Sequence, residues 1–264
     1  MNPQYGYVFE DIKKGLLDWR MWGRMGWQEN KRRYRRTVLG PFWTTLSMGI
    51  FILAMGSIWS QLWKQDPKIY LPFLASGMVV WGLVGTLINE GCTVFVSSES
   101  LIKSMPINYA MLACAAVWRN CVVLAHNLMI FIAVAVYGGI SVNWHTLLAL
   151  PGLVLIAFNG VWVCILLGLV CARFRDIQQV VGSTLQVAML VTPIFWSTEQ
   201  LGRRFMALVD YNALYHFVDV VRAPLLGKPA SLWTYEFIAV FTVIGWTVTI
   251  MVFSRFRRRI TYWL

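Results

Sequence analysis

The residues of this chain that could carry acid–base chemistry are few and lie far apart. Its long apolar stretches hold four acidic, basic or histidine side chains, at Glu90, Arg119, His126 and Glu236. Ion-coupled transport needs relays of acidic or histidine side chains inside the bilayer. A single central histidine does not make a relay, so we expect His126 to hydrogen-bond a neighbouring helix, with a proton relay as the alternative.

Familiar catalytic and nucleotide-binding patterns do not occur in the sequence. It has no G-x-x-x-x-G-K-[S/T] phosphate loop, no H-E-x-x-H, no G-x-S-x-G and no paired-carboxylate cluster. The five cysteines, Cys92, Cys114, Cys121, Cys164 and Cys171, include no C-x-x-C pair. We interpret them as small buried hydrophobic residues. The sequence therefore predicts no catalytic residue, no metal site and no cofactor bound by this chain itself.

Composition separates a membrane protein from a nucleic-acid-binding one. The chain is 58% hydrophobic and 13% charged, whereas soluble domains carry about 25% charged residues. A net charge of +11 could indicate nucleic acid, but the basic residues border apolar runs instead of forming a stripe on a soluble face. In KRRYRRTVLGPFWTTLS (31–47), the basic residues directly precede the apolar run: Lys31, Arg32, Arg33, Arg35 and Arg36. We therefore expect an integral membrane protein with no nucleic-acid partner.

Six apolar runs are long enough to cross a hydrocarbon core, which takes about 20 helical residues. These runs are Leu39–Trp63, Tyr70–Phe95, Arg119–Tyr137, Leu147–Cys171, Gln178–Trp196 and Leu232–Phe253. The prediction is an all-α integral membrane protein with six transmembrane helices. Its parts are an N-terminal segment (1–38), a transmembrane domain (39–254) and a basic tail (255–264).

The distribution of basic residues predicts the orientation in the membrane. Six spans place both termini on one side, and seventeen of the 23 Lys and Arg residues fall on that side. The positive-inside rule then puts both termini in the cytoplasm. The first 15 residues contain no apolar signal-peptide region, so we expect a multi-pass membrane protein whose N-terminal segment stays in the cytoplasm.

The segment Phe9–Met25 has the pattern of an amphipathic helix. Phe9, Ile12, Leu16 and Trp19 recur at helical spacing, with charged residues elsewhere on the wheel. Such a helix suits the membrane interface, where it would contact lipid. A short cytoplasmic helix packed on its own bundle is the alternative.

Two inner loops could contact a partner protein. The loop SSESLIKSMPINYAM begins with Ser97 or Ser98 as a possible helix cap and ends its helix at Pro106. A short mixed helix there would suit docking into a groove, although an ordinary connecting turn fits equally well. The second loop, CARFRDIQQ (171–179), carries Arg173, Arg175 and Asp176, which also fits simple flanking charge.

Ordered segments along nearly the whole chain resemble the ABC-2-type polysaccharide export permeases, the membrane subunits of O-antigen and capsular polysaccharide exporters. The resembling segments are RRYRRTVLGPFW, ARFRD, TPIFW, YNALYHFVDVVRAPLLG and FRRRITYWL. One departure is Asn212-Ala213 where Asn-Pro is expected, which puts the local turn geometry in doubt. The O-antigen branch fits better than the capsule branch, through RRTVLGPFW and the Tyr262-Trp263 ending.

The resemblance implies a homodimer working with two copies of a separate ABC ATPase, which binds the ATP and Mg²⁺. Lipid-linked polysaccharide would pass between the two bundles, and short re-entrant helices before the last span would shape the outer exit. A coupling helix would dock in the ATPase through Ser98, Glu99, Leu101, Ile102 and Lys103. The remaining cytoplasmic interface would include Arg32, Arg33, Arg35, Arg36, Arg173, Arg175 and Asp176.

Aromatic and small residues supply the remaining candidates. A sugar polymer could slide along aromatic rings, and the candidates for the channel lining are Trp59, Phe73, Trp81, Trp118 and Phe195; membrane-interface belts explain such rings equally well. Tyr211, Tyr215 and Arg222 are candidates for an outer gate, or for interface anchoring. Gly160, Cys164, Gly168 and Ala172 form a small-residue stripe, which we expect to pack within the subunit, with Asn159 bonding across helices.

The most consistent prediction is an ATP-driven export permease for lipid-linked O-antigen that is not itself an enzyme. Export of capsular polysaccharide or teichoic acid is the alternative within the same family. A passive channel or a membrane-embedded glycan transferase is the alternative from another class.

Overall fold

The computed structural model describes residues 3–40, 42–198 and 206–264, which form helices and short turns without a β-strand in these ranges. The helices are α1 (Pro3–Leu17), α2 (Trp19–Tyr34), α3 (Phe42–Leu62), α4 (Pro67–Thr93), α5 (Glu99–Ser104), α6 (Tyr109–Gly138), α7 (Ala149–Arg173), α8 (Ile177–Val191), α9 (Met206–Asp210), α10 (Ala213–Leu225), α11 (Leu232–Phe256) and α12 (Ile260–Trp263). The 3-10 segments Trp144–Leu148 and Arg257–Arg259 lead into α7 and α12. The expected all-α fold is confirmed.

Within the described ranges, five helical segments are long and apolar enough to cross a membrane. They are α3, α4, α6, α7 with its 3-10 turn, and α11 with the tail. The sixth predicted span corresponds to α8, which has only 15 residues and is therefore about 22 Å long, against a hydrocarbon core of about 30 Å. It ends at Val191, and the next residue, Thr192, has an extended backbone because it precedes Pro193, whose ring disfavours the helical conformation at the residue before it.

Helix α6 begins at Tyr109, well before the predicted span start at Arg119. The Asn108 side chain caps it by accepting a hydrogen bond from the Met111 N–H at 3.2 Å, and the alanine-rich first turns favour helix. Gly139 ends it in the left-handed conformation (φ 68°), which glycine adopts without strain. Arg119 therefore lies inside a helix and not at its flank.

Helix α4 is the centre of the bundle and packs against α3, α6, α7, α8 and α10. The small residues of α7 permit close approach to it. A Cβ on Gly160 would lie 3.0 Å from Leu87, and one on Gly168 would lie 2.6 Å from Val94. The expected packing of this stripe within the subunit is confirmed. So is the bond across helices, since Asn159 Nδ2 donates to Thr242 Oγ1 of α11 at 2.9 Å.

Helix α1 and the C-terminal tail lie at one end of the bundle, called here the basal end. Asp11 of α1 pairs with Arg257 after α11, and Tyr109 at the start of α6 lies 3.3 Å from Thr261 of the tail. At the opposite, distal end, the Tyr70 hydroxyl at the start of α4 donates to the Phe195 carbonyl oxygen at 2.7 Å. Helix α8 therefore runs antiparallel to α4, from the basal end to the distal end.

The predicted amphipathic segment forms two helices that meet at Asp18. Both pack on α6 through glycines: a Cβ on Gly15 would lie 2.7 Å from Ala110, and one on Gly26 would lie 2.7 Å from the Ala115 carbonyl. Trp19 and Trp27 of α2 are exposed. Packing on the bundle and an exposed aromatic face thus occur together, so the two interpretations of this segment were not exclusive.

The departure from the family pattern at Asn212-Ala213 leaves the start of helix α10 intact. Asn212 is the N-cap of α10, and its side-chain oxygen accepts hydrogen bonds from the backbone N–H groups of Leu214 and Tyr215 at 3.0 and 3.3 Å. The cap begins the helix without the proline that the family pattern would place next. Helix α10 then packs against α4, α7 and α11 at the distal end.

Candidate functional site

The short helix α5 lies at the basal end, between the last turn of α4 and the first turn of α6. Ile102 is 7% exposed and anchors α5 in the core, and Leu101 packs partly against it. Ser98 occupies the N-cap position, one of the two predicted, but its side chain makes no capping bond, and Ser97 Oγ donates to the Val94 carbonyl oxygen. The backbone N–H groups of Ser98 and Glu99 bond to carbonyl oxygens of the preceding turn, so α5 follows directly on that turn.

The outward side of α5 carries an ion pair. Lys103 Nζ lies 2.7 Å from Glu99 Oε1, one helical turn away, and both side chains are substantially exposed. The hydrogen bond and charge of Lys103 lower the pKa of Glu99 below its ordinary value. The pair is therefore intact at neutral pH and is lost only as the pH falls through that lowered pKa. Of the five predicted coupling residues, Glu99 and Lys103 face outward most clearly.

The C-terminal tail packs against α5. This contact was not predicted from the sequence. Helix α12 contacts both α5 and α7, and its Ile260 is fully buried while Leu264 is 9% exposed. The Arg173 guanidinium lies 5.1 Å from the Trp263 ring centroid, a cation–π contact. The available signal was the alternation of apolar residues in ITYWL after the basic run.

The predicted cytoplasmic basic residues are mostly exposed at this end. Within the described ranges, no carboxylate lies within ion-pair distance of Arg32, Arg35 or Arg36. Together with Arg33 these three line a shallow surface depression. Arg175 and Asp176, in the turn between α7 and α8, are exposed as well. This leaves a strongly cationic strip beside the start of α3.

Arg33 belongs instead to a cluster of charges between α2, α4 and α6. Its Nη2 donates to Glu90 Oε1 at 2.9 Å. Arg119 donates to the other oxygen of Glu90 at 2.6 and 3.2 Å and also pairs with Glu29, and Asn120 Nδ2 donates to Glu90 at 2.7 Å. Burial alone would lower the pKa of Arg33, but the hydrogen bond and charge of Glu90 outweigh it and raise that pKa. We call Glu29, Arg33, Glu90 and Arg119 the charge cluster.

Among the gate candidates at the distal end, Arg222 is buried and contacts several groups of the chain. It is 5% exposed, donates to the Pro193 carbonyl oxygen, and lies 4.7 Å from the Phe73 ring centroid and 5.8 Å from that of Tyr215. Its nearest carboxylate is Asp219, at 3.4 Å. The contact to Pro193 joins α10 to the chain segment that follows α8. Arg222 and Tyr215 thus lie together.

Tyr211 is 73% exposed and faces away from this contact. It lines an open groove of about 760 Å³ between α8 and the α9–α10 segment. Of the three gate candidates, it is the one available to a solute.

Sequence reasoning also missed His216, which is 1% exposed. Its Nε2 lies 2.8 Å from the Asp210 carbonyl oxygen, so this nitrogen carries the proton, and its Nδ1 lies 3.1 Å from Thr234 Oγ1. The ring stacks on Phe237 with centroids 4.3 Å apart. This histidine joins α10 to α11, and no spacing in the sequence distinguished it.

The hydrogen-bond partner of His126 differs from the predicted one. Its Nδ1 lies 2.8 Å from the Val122 carbonyl oxygen, one turn earlier in the same helix. The expected hydrogen bond to a neighbouring helix is therefore wrong. The contact with α3 is instead an edge-to-face packing on Phe42, with centroids 5.6 Å apart.

The five predicted lining aromatics do not form one row in this chain. Trp59 stacks with Phe195 at the distal end, with ring centroids 6.4 Å apart, close to Tyr70 and Phe73. Trp81 is 7% exposed within the core. Trp118 lies towards the basal end and packs edge-on against Trp22 of α2. The distal group is continuous with the Arg222 contacts, whereas Trp118 belongs to the interface between α2 and α6.

An exposed polar stripe on α8 was not recognised in the sequence. Gln179, Ser183 and Gln186 are exposed and recur at spacings of four and three, so they share one face of the helix. Asn89 of α4 is exposed beside them, since a Cβ on Gly182 would lie 3.8 Å from its side-chain oxygen. Uncharged polar side chains are costly in lipid. This face therefore requires water or protein next to it.

The described residues contain no group of three or more His, Cys, Asp or Glu side chains that could hold a metal ion. The five cysteines are free, and all but Cys121 are buried. What the arrangement offers is a polar face along α8, a short helix with exposed charges at the basal end, and a cationic strip beside the start of α3.

The comparison with protein families identifies the class of this chain. A family model described as ABC-2 type transporter matches residues 22–226, which is most of its length. The chain belongs to the ABC-2 type transporter family, and it is a multi-pass membrane protein. It is similar to the O-antigen export system permease protein RfbA of Myxococcus xanthus, with 23% identity over 170 residues. That match covers 64% of this chain and 65% of the relative, slightly less than two thirds of the relative's length.

Proposed function

We propose that this chain is the membrane subunit of an ATP-driven exporter of lipid-linked polysaccharide, with O-antigen as the substrate class. The family and the name of the relative, an O-antigen export system permease protein, support export of a glycan. The observation that carries the ATP-driven mechanism is α5, a short helix whose buried Ile102 anchors it to the bundle and whose Glu99 and Lys103 face outward. A helix held in this way can receive a push from a docked soluble protein and pass it to α4 and α6.

The membrane arrangement follows from the same geometry. We propose that α8, with the segment Thr192–Trp196, is the sixth crossing, because it runs from the basal end to the distal end alongside α4. Both termini then face the cytoplasm of a bacterial inner membrane, where the cationic strip meets anionic headgroups. Helices α9 and α10 form the re-entrant segment on the outer side.

The polar stripe of α8 suits a hydrated sugar. In a homodimer, the stripes of two copies would face each other and enclose a water-filled route between the bundles. Tyr211, exposed in the groove beside α8, and the partly exposed distal ring of Trp59 would offer flat apolar faces for sugar C–H groups near its exit. Weak binding at several such places lets a polymer slide without being trapped.

Energy and cofactors would come from the partner. Two copies of an ABC ATPase would bind ATP and Mg²⁺ and dock at α5, and this chain would hold neither. The rest of the docking surface would be basic, formed by Arg173 and Arg175 around the tail.

The test is to express the chain in a host that makes the lipid-linked glycan but lacks its own exporter. The chain is supplied alone, with its candidate ABC ATPase, or with that ATPase carrying a substitution of its Walker lysine. Surface glycan should appear only with the active ATPase. Equal export in all three arms would contradict the proposal and favour a passive channel.

A further inference from the structure

The charge cluster occupies a position that the proposed function does not yet explain. Glu29 and Arg33 come from α2, Glu90 from the last turn of α4, and Arg119 from α6. Helices α4 and α6 are the two arms that flank α5. The cluster therefore joins both arms of the α5 hairpin to the interface helix α2.

The geometry of the cluster restricts how α2 can move. Glu90 uses one oxygen for Arg33 and the other for Arg119 and Asn120, and Arg119 also pairs with Glu29 one turn before Arg33 on α2. Arginine forks bind carboxylates in fixed directions. Two successive turns of α2 are therefore held, which fixes both its position and its rotation about its own axis.

Three side chains of the charge cluster are largely buried, so their ion pairs are only weakly screened by water. Arg119 is 14% exposed, Glu90 is 17% and Glu29 is 24%. A partly buried charge that loses its partner keeps its desolvation cost, so breaking one pair disfavours the whole arrangement. The neighbouring Asn30 adds a hydrogen bond to the Arg119 carbonyl oxygen at 3.2 Å.

Helix α2 is also directly connected to the next span. Seven residues (35–41) separate its end at Tyr34 from the start of α3, and among them Gly40 has a φ of +56°, which favours glycine. The Thr45 hydroxyl of α3 bonds to Asn127 of α6 at 3.1 Å, further along the helix that carries Arg119. A displacement of α2 is therefore transmitted to α3 through the short stretch of backbone that joins them.

We propose that Glu29, Arg33, Glu90 and Arg119 form a positioning latch that makes α2 move with the α4–α5–α6 hairpin as one body. A displacement of α5 is thereby carried to α2 and on to α3, in addition to its direct effect on α4 and α6. The role of the latch in transport depends on the proposed docking of an ATPase at α5. The rigid connection between α2 and the hairpin does not depend on it.

The test measures the connection directly. Spin labels at Gln28→Cys on α2 and Ser97→Cys just before α5, both exposed positions, report the distance between α2 and the hairpin. The five native cysteines are replaced by alanine in a background shown to insert normally. In lipid nanodiscs without nucleotide, we expect one narrow distance distribution for the unaltered cluster. Arg119→Gln and Glu90→Gln should broaden it or add a second population.

Two further variants keep the test decisive. Arg33→Gln removes a single contact from a half-exposed side chain, so the protein should fold, and a smaller broadening is expected. Glu10→Gln removes an exposed pair with Lys14 on α1 and should change nothing. A narrow, unchanged distribution in a folded Arg33→Gln together with Glu90→Gln or Arg119→Gln would overturn the latch.

A functional readout separates the latch from the proposed function. In the reconstituted complex with the ATPase, Arg119→Gln should lower glycan export per ATP hydrolysed about tenfold, and Arg119→Lys, which keeps the charge, should restore part of it. Unchanged export per ATP in a variant with a broadened distribution would refute the role in transport. If no ATPase assembles with the chain, the proposed function fails, while the nucleotide-free distances still decide the latch.

Discussion

Asp11 and Arg257 are 246 positions apart in the sequence, yet Arg257 Nε donates a 2.8 Å hydrogen bond to Asp11 Oδ2. The contact joins the first helix to the chain beyond the last long helix. Arg257 also lies 5.7 Å from the ring centroid of Tyr109, at the start of α6. Three distant parts of the chain therefore meet at the basal end, beside the helix that we propose as the docking element.

Asp11→Asn should weaken this connection. Asp11 is 8% exposed, and a hydrogen bond to a charged group contributes about 1.5–3 kcal/mol, so we expect a lower midpoint of thermal unfolding in detergent. The matched control is Glu10→Gln, whose pair with Lys14 is largely exposed and worth less than about 1 kcal/mol. Equal midpoints for the two variants would show that the Asp11 contact does not stabilise the fold.

Gly26→Ala should separate α2 from α6. An added Cβ would lie 2.7 Å from the backbone oxygen of Ala115, and such overpacking costs about 1–3 kcal/mol. Gly23→Ala, one turn earlier, has no atom within 4 Å of the new Cβ and should stabilise the helix by about 0.5–1 kcal/mol. Thermal unfolding of both variants measures the difference. A destabilisation by Gly23→Ala equal to that of Gly26→Ala would contradict the packing shown here.

Lys103→Glu should uncouple ATP hydrolysis from export without affecting membrane insertion. The change replaces the 2.7 Å ion pair with Glu99 by two like charges one turn apart and reverses the charge presented to a partner. Export should fall about tenfold, equivalent to about 1.4 kcal/mol. Ile102→Asp should instead reduce the amount of folded protein, because that side chain is buried.

The double variant Glu99→Lys with Lys103→Glu distinguishes two roles of the pair. It restores the ion pair within α5 but keeps the outward charges reversed. If the charges contact the ATPase, export remains low, measured as surface glycan per ATP hydrolysed. Full recovery would mean that the pair only stabilises α5.

Gln186→Leu should reduce export several-fold while leaving the amount of folded protein unchanged. Gln186 is exposed on the polar stripe of α8, and an apolar side chain there would remove a hydrogen-bonding group from the proposed hydrated route. Val180→Leu, at an exposed position of α8 that does not line the Tyr211 groove, is the control and should export normally. The same loss in both variants would indicate that α8 is simply sensitive to side-chain size.

Much of the framework could be predicted from the sequence because it depends on local properties. The apolar runs identify five of the spans, the asymmetry of Lys and Arg predicts orientation, and the spacing of Gly160 and Gly168 indicates close helix packing. These features depend only on composition and periodicity. In a bilayer an apolar segment must form a helix, because unpaired backbone N–H and C=O groups are costly in lipid.

The tertiary structure alone decided which distant side chains meet. No local pattern joins Asp11 to Arg257, brings the tail beneath α5, or makes Glu90 the shared partner of Arg33 and Arg119, because each contact depends on how whole helices pack. The same holds for the side of α8 left uncovered, since exposure is a property of neighbours. Sequence determined which segments are helical and apolar, and packing determined which of their polar groups are paired and which remain available.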